Sequence, residues 1–312
     1  MNKQNRNKPI LLVALGGNAL IRKGQEGTIE QQFANLKVPI RQIARLSTDY
    51  KIIITHGNGP QVGNLMLQQD CCDAVPKLPL EILVAQTEGQ IGYMIESTLD
   101  EELMELGIDF KPLVSLITYV VVDKNDPAFK KPTKPIGPGL SKEEADGSEY
   151  PVLDTAKGYR RVVASPRPVT IIEKREIQKL IDIDFIVICC GGGGIPVIRK
   201  GRAFNGVDAV IDKDLASARL AEEVSADIFL IATDVKGVML NFGRENQKML
   251  RFMSLKETIR YTKEGHFPEG SMLPKVEAAM QFVKNQKKKA VITSIKTIEE
   301  SVNGKAGTEF IL

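Results

Sequence analysis

At 312 residues, with 43% hydrophobic and 26% charged content, the chain is long enough to bury one large or two ordinary cores and has a soluble globular balance. Its 42 basic and 39 acidic residues leave a formal net charge of +3, which argues against a nucleic-acid or membrane-surface partner. The polar start MNKQNRNKP precedes an apolar run too short for a signal-peptide core or a membrane span, so a cytoplasmic protein is expected.

Residues 10–20, ILLVALGGNAL, read as a strand buried on both faces that ends in Gly16-Gly17. Glycines just past a central strand leave backbone N–H groups open to an anion, or mark a tight turn that needs positive φ. Residues 28–48 carry Phe33, Leu36, Ile40, Ile43 and Ala44 at helical spacing, with Pro39 expected to kink the middle. The strand KIIIT at 51–55 ends at His56-Gly57-Asn58-Gly59-Pro60, and Pro60 suits the first position of a helix running towards Gln69. Two βα turns of one kind imply a parallel sheet with its strand ends gathered at one edge. A long helix over 80–106 carries Ile91, Ile95, Leu99 and Leu103 as a core or subunit-interface stripe, and 112–122 reads as one more buried strand.

From 123 to about 160 the chain is rich in Pro, Gly and Lys and nearly free of apolar periodicity, the character of a mobile lid or an insert. Parallel α/β reading resumes with a strand at 169–172, a helix at 174–182 and a strand at 185–190 that runs into Gly191-Gly192-Gly193-Gly194. No Gly-Lys-Ser/Thr follows, which excludes a Walker A loop. Then come a hairpin at 197–205, a helix from about 213, a strand at 227–233 with the turn Asp234-Val235-Lys236-Gly237, and a second hairpin at 239–252. Helices near 254–264 and from about 272, a strand at 290–293, a short helix and a last strand at 308–311 complete the pattern. The four cysteines, paired as Cys71-Cys72 and Cys189-Cys190, lack C-x-x-C spacing and read as buried or half-buried free thiols. With only His56 and His266 present, no histidine-rich metal site is expected.

Lys213 and Lys275 each fall in the first turn of an expected helix, where the macrodipole disfavours a cation by about 0.3–1 kcal/mol. Solvation would excuse either one, but two of them beside three strand-end glycine turns point to a polyphosphate site. Asp212 and Asp214 would cap the helix, and Asp214 could also hold lysine ammonium groups. No Ser-His-Asp or Cys-His arrangement competes, and phosphoryl transfer needs positioning and charge neutralisation more than a covalent nucleophile.

Eight ordered motifs, ALGGNAL, THGNGPQVG, PTKPIG, SPRP, GGGGIPV, GVDAVIDKDLA, TDVKGV and EGHFPEGSM-x-PK, make nearly the whole chain resemble the carbamate kinases of the amino-acid kinase superfamily. That resemblance implies one domain over 1–312, an α/β fold built as an open αβα sandwich with a mainly parallel central sheet and a small protruding lid subdomain. Residues 9–190, including the lid at 123–160, would form the acceptor (carbamate) lobe, and 191–312 the nucleotide (ATP/ADP) lobe. The implied reaction is reversible phosphoryl transfer between ATP and carbamate, often run towards ATP in arginine breakdown, by a homodimer using Mg²⁺ carried on the nucleotide phosphates.

Carried over residue by residue, Gly16, Gly17, Asn18, Gly57, Asn58 and Gly59 would hold the acceptor and the transferring phosphoryl group. Lys213, Lys275 and, from the lid, Lys134 would neutralise charge, with Asp214 organising them. Asp234 and Met272 would join Lys213 and Lys275 at the nucleotide. Many relatives in the superfamily have a lysine where Ala14 stands, and its absence leaves Lys134 to supply that charge. The chain departs from the family pattern at Leu273, at Gly139-Leu140 and at Tyr159, none of which removes a charge. Two rival readings remain: a kinase for another small acid such as acetylglutamate, which would want a lysine at 14, and a nucleotide sensor without turnover.

Overall fold

The computed structural model describes residues 8–312 except 109–110, 138, 149, 156–157 and 269. Pro138 and other residues of the expected lid, and Glu269 of the EGHFPEGSM motif, therefore lie outside the described residues.

Eight strands form the main sheet, in the order Phe252–Ser254, Thr308–Ile311, Lys289–Ser294, Ile228–Thr233, Ile10–Leu15, Lys51–His56, Ile186–Ile188, Leu113–Ser115. All neighbours are parallel except Lys289–Ser294 with Thr308–Ile311, which run antiparallel. The first strand sits in the middle, and alternation along it makes the layers. Leu12 and Ala14 face a core shared with the helices Lys174–Asp182, Lys213–Glu223 and Met272–Gln286. Leu11, Val13 and Leu15 face the opposite core, built with Ile29–Leu46, Leu80–Glu105 and Ile298–Val302. This is the expected αβα sandwich, its strands buried on both faces because helices cover both.

The helix Ile29–Leu46 begins at a capping box, Thr28 with Gln31, and tolerates Pro39 inside it. In Leu80–Glu105 the expected stripe Ile91, Ile95, Leu99 and Leu103 is core. No described helix is long and apolar enough to cross a membrane.

Three expectations fail. Residues 112–122 are two strands in two sheets. Leu113–Ser115 ends the main sheet, whereas Tyr119–Val122 pairs with Ile195–Lys200 and Pro168–Ile171 in a four-stranded sheet completed by Ala203–Gly206. Thr118 makes the switch: its N–H donates to Glu88 Oε2, its hydroxyl donates to the Leu116 carbonyl, and it accepts from Cys190 N–H. Pro168–Ile171 is accordingly antiparallel to its neighbour and does not resume the parallel sheet. Of the thiols, Cys189 and Cys190 are buried, but Cys71 and Cys72 are exposed, because they follow the end of the helix Gly59–Asp70 in a surface turn.

The segment 123–160 contains regular structure despite its composition. Lys134–Pro135 and Val152–Thr155 flank Gly158–Val163 in a three-stranded sheet, and Ser141 caps the short helix Lys142–Asp146. Its root is packed: Ile136 and Val162 are each 2% exposed, and Ile136 shares a third cluster with Val62, Met66, Leu83 and Val210.

Candidate active site

Leu15, His56 and Ala232 stand in register across three adjacent parallel strands, so the chain leaves the sheet three times at one edge. The central strand feeds neighbours on both sides, and open α/β sheets bind ligands at such a switch point, beyond the carboxyl ends of the strands.

The Gly16 turn does not need positive φ; its backbone is extended, at φ −69° and ψ 158°. Close approach explains the glycine, since a Cβ there would stand 3.0 Å from the Ala232 carbonyl oxygen, to which Gly16 N–H donates. Gly17–Ala19 follows as a single 3-10 turn, and beside it Asn58 occupies the N-cap position of the helix Gly59–Asp70 without a side-chain capping bond, with Pro60 in its first turn. The first N–H groups of these turns find no acceptor within their own helix. Asn58 is 2% exposed and its Nδ2 donates to Thr87 Oγ1 at 2.8 Å. Gly192 lies against it at φ +66°, where a Cβ would come 2.1 Å from that nitrogen, so both conformation and space demand glycine.

The charged part is built at the start of the helix Lys213–Glu223. Asp212 is its N-cap, Oδ1 accepting from Asp214 N–H at 2.9 Å, while Oδ2 accepts from Lys134 Nζ. Asp214 binds Lys213 at 2.7 Å through Oδ1 and Lys275 at 2.7 Å through Oδ2. Lys213 also donates to the Ala14 carbonyl at 3.3 Å. The anion that excuses two cations near helix starts is thus Asp214. Burial pushes the Asp214 pKa up, but the two ammonium groups outweigh it and hold the carboxyl well below its usual range. Burial pulls Lys213 below an ordinary lysine despite that partner, whereas at Lys275 the Asp214 carboxylate overcomes burial and raises it.

Gly16, Gly17, Asn18, Gly57, Asn58, Gly59, Lys134, Lys213, Asp214, Asp234, Met272 and Lys275 all line one cleft of about 530 Å³. The residues expected to act together are thus brought to one cleft. Residues given no role at the cleft by sequence reasoning line it too: Asp212 as the seat of Lys134, Gly192 behind Asn58, and Met239, Phe242, His266 and Pro268. The adjacency of Asp212 to Lys213 carried a signal for the first, and Gly192, His266 and Pro268 lie within the ordered motifs, whereas nothing in the local pattern singled out Met239 or Phe242.

Behind the glycine turns, two buried titratable side chains, Glu88 and His56, lie against the same glycine. Glu88 is 3% exposed and His56 2%, and both abut Gly191, where a Cβ would meet His56 Nε2 at 2.5 Å and Glu88 Cγ at 3.0 Å. Burial pushes the Glu88 carboxyl up to about 8, against a hydrogen bond from Thr118, and pulls His56 down to about 4.

The chain is similar in sequence and fold to known proteins. The model for the Amino acid kinase family matches residues 9–294. The chain is 46% identical over 311 residues to a carbamate kinase of Thermococcus kodakarensis, covering 96% of this chain and 98% of the relative. It superposes on a carbamate kinase from Giardia lamblia bound to AMP-PNP with a TM-score of 0.89 at 37% identity, covering 98% of this chain and 99% of the other. A second structure of that protein, bound to citric acid, gives a TM-score of 0.92 at 38% identity over 98% and 99% of the two chains. The chain belongs to the amino acid kinase family, in its carbamate kinase branch.

Proposed function

We propose that this protein is a carbamate kinase, moving a phosphoryl group reversibly between ATP and carbamate. The observation that carries this reading is the convergence of Lys213, Lys275 and Lys134, through Asp214 and Asp212, on the strand-end turns of Gly16–Asn18 and Gly57–Gly59. Phosphoryl transfer asks for this: in-line positioning, and cations where charge spreads over the transferring oxygens. An anionic carbamate oxygen attacks the γ-phosphorus, the bond to the β–γ bridging oxygen breaks, and ADP leaves with that electron pair. The attacking oxygen carries no proton, so the chemistry needs no general base.

The backbone N–H groups after the first two strands hold the acceptor; Lys213 and Lys275 neutralise the phosphates, and Asp214 keeps both ammonium groups in place. Asp234 and Met272, which line the same cleft, would contact the nucleotide. The nucleotide brings Mg²⁺ as part of the substrate, the ion preferring phosphate and water oxygens. Among the described residues no three of His, Cys, Asp or Glu are grouped to cage a metal.

The acetylglutamate alternative would want a lysine at position 14. That residue is Ala14, fully buried, with its carbonyl engaged by Lys213. Purified protein given ADP, Mg²⁺ and carbamoyl phosphate should form ATP, the direction used in arginine breakdown. No ATP above the enzyme-free control removes the assignment. A homodimer belongs to the same proposal, supported by apolar side chains left in water on the long helices, such as Tyr93 at 65% and Met104 at 74% exposure. Light scattering at micromolar concentration should give twice the mass of one chain, and a monomer would refute it.

A further inference from the structure

Two motifs far apart in the chain, THGNGPQVG and PTKPIG, end in Gly63 and Gly137, and the fold brings these last glycines together. Gly63 lies in the second turn of the helix Gly59–Asp70, whose first residues line the cleft. A Cβ built on Gly63 would stand 1.9 Å from Gly137 Cα and 2.2 Å from Gly137 N. Both are backbone atoms, so no side-chain rotation relieves the clash. The reverse does not hold: a Cβ on Gly137 would find Gly63 Cα at 3.5 Å, an ordinary contact, although φ of +71° already favours glycine there.

We infer that Gly63 is a positioning residue for Lys134: its missing side chain lets the Gly137 backbone seat directly on the helix, which places the Lys134 ammonium over the cleft. Lys134 is three residues before Gly137 on a taut connection. Lys134–Pro135 pairs with Val162 and Val163, and Ile136 N–H donates to the Arg161 carbonyl at 3.0 Å. Arg160 closes the clasp from the other side by donating to the Gly137 carbonyl. Ile136, 2% exposed, has no room to slide. Any atom added at Gly63 must therefore lift residues 134–137 as a unit, by more than an ångström, and pull Lys134 from Asp212 and the phosphates. A displacement of that size at a charged group costs on the order of 10²-fold in rate.

The inference deepens the phosphoryl-transfer reading and rests on it for the part concerning rate. Gly63→Ala should lower kcat roughly 10- to 100-fold, while Gly89→Ala, also inside a helix but with open space at its Cβ, should leave it unchanged. In the Lys134→Ala background Gly63→Ala should cost nothing further. Hydrogen exchange at Ile136 should speed up in Gly63→Ala and stay as in the parent in Gly89→Ala, whatever the protein catalyses. Arg160→Met loosens the same clasp without adding an atom to the helix, and should reproduce both effects if Gly63→Ala does not fold. Parental turnover with unchanged exchange in Gly63→Ala overturns the inference, as does a double variant whose loss is the full product of the single losses. A parent protein that makes no ATP sinks the kinase reading alone, and the exchange measurement still decides the seating of Gly137.

Discussion

The cleft gathers its positive charge from two regions built differently. Lys213 and Lys275 are nearly buried, rise from helix starts packed on the main sheet, and share one carboxylate whose capping neighbour fixes the helix. Lys134 is 30% exposed and stands on a two-residue strand of the protruding sheet, tied by Asp212 and by backbone contacts at one edge. The first pair is preorganised by the core, so its cost is met in folding. The third cation depends on a small substructure keeping its seat, and such elements open at lower free energy than central strands. Preorganised charge supplies the bulk of transition-state stabilisation, whereas a movable charge can also exclude water once it closes.

Substitution tests this contrast most strongly at the buried pair. Lys213→Ala should lower turnover by about 10²–10³-fold, as loss of a preorganised electrostatic group does. It also leaves Asp214 with one cation, so the melting temperature should fall as well. Turnover near the parent's would mark Lys213 as a structural lysine only.

Lys134→Ala should lower turnover roughly 10- to 100-fold with the melting temperature nearly unchanged, since its ammonium is part exposed and Asp212 keeps its capping bonds. Equal melting losses in the two variants would erase the difference between the regions.

The smallest effect sharpens the comparison from behind the glycine turns. Glu88 has a folded pKa of about 8 against an ordinary 4.5, so the folded state holds the proton the unfolded state has lost. Stability from this group is therefore full below pH 4.5, falls as pH rises, and levels off above about 8. His56 runs the other way: with a folded pKa of about 4 against 6.5, it removes stability as pH falls below 6.5. Glu88→Gln should gain stability relative to the parent between pH 6.5 and 8, by up to a few kcal/mol, measured by denaturant melts. A constant difference across that window would show that Glu88 ionises normally.

Local pattern made much of this molecule legible. Apolar runs ending in glycine located Ile10–Leu15, Lys51–His56 and Ile186–Ile188, because a strand covered on both faces must be apolar throughout. Cations placed against a helix dipole singled out Lys213 and Lys275, since such placement asks for an anion nearby. The order of the motifs pointed to the glycine turns and Lys134, which also line the cleft.

What pattern could not reach was set by contacts across long stretches of chain. Residues 112–122 read as one largely apolar run, and Thr118, hydrogen-bonded to Glu88 and Cys190 from distant elements, stands where they divide between two sheets. The seat of Lys134 on Asp212 spans 78 residues. The composition of 123–160 announced a lid, but the packing of Gly137 on Gly63 and of Ile136 in a core rooted it. Sequence alone determined most strands and helices of the sandwich and which residues carry charge, because periodicity and dipoles act within a few residues. Tertiary structure alone decided which glycine meets which backbone and which carboxylate meets which lysine, because excluded volume and desolvation act only once distant segments are in contact.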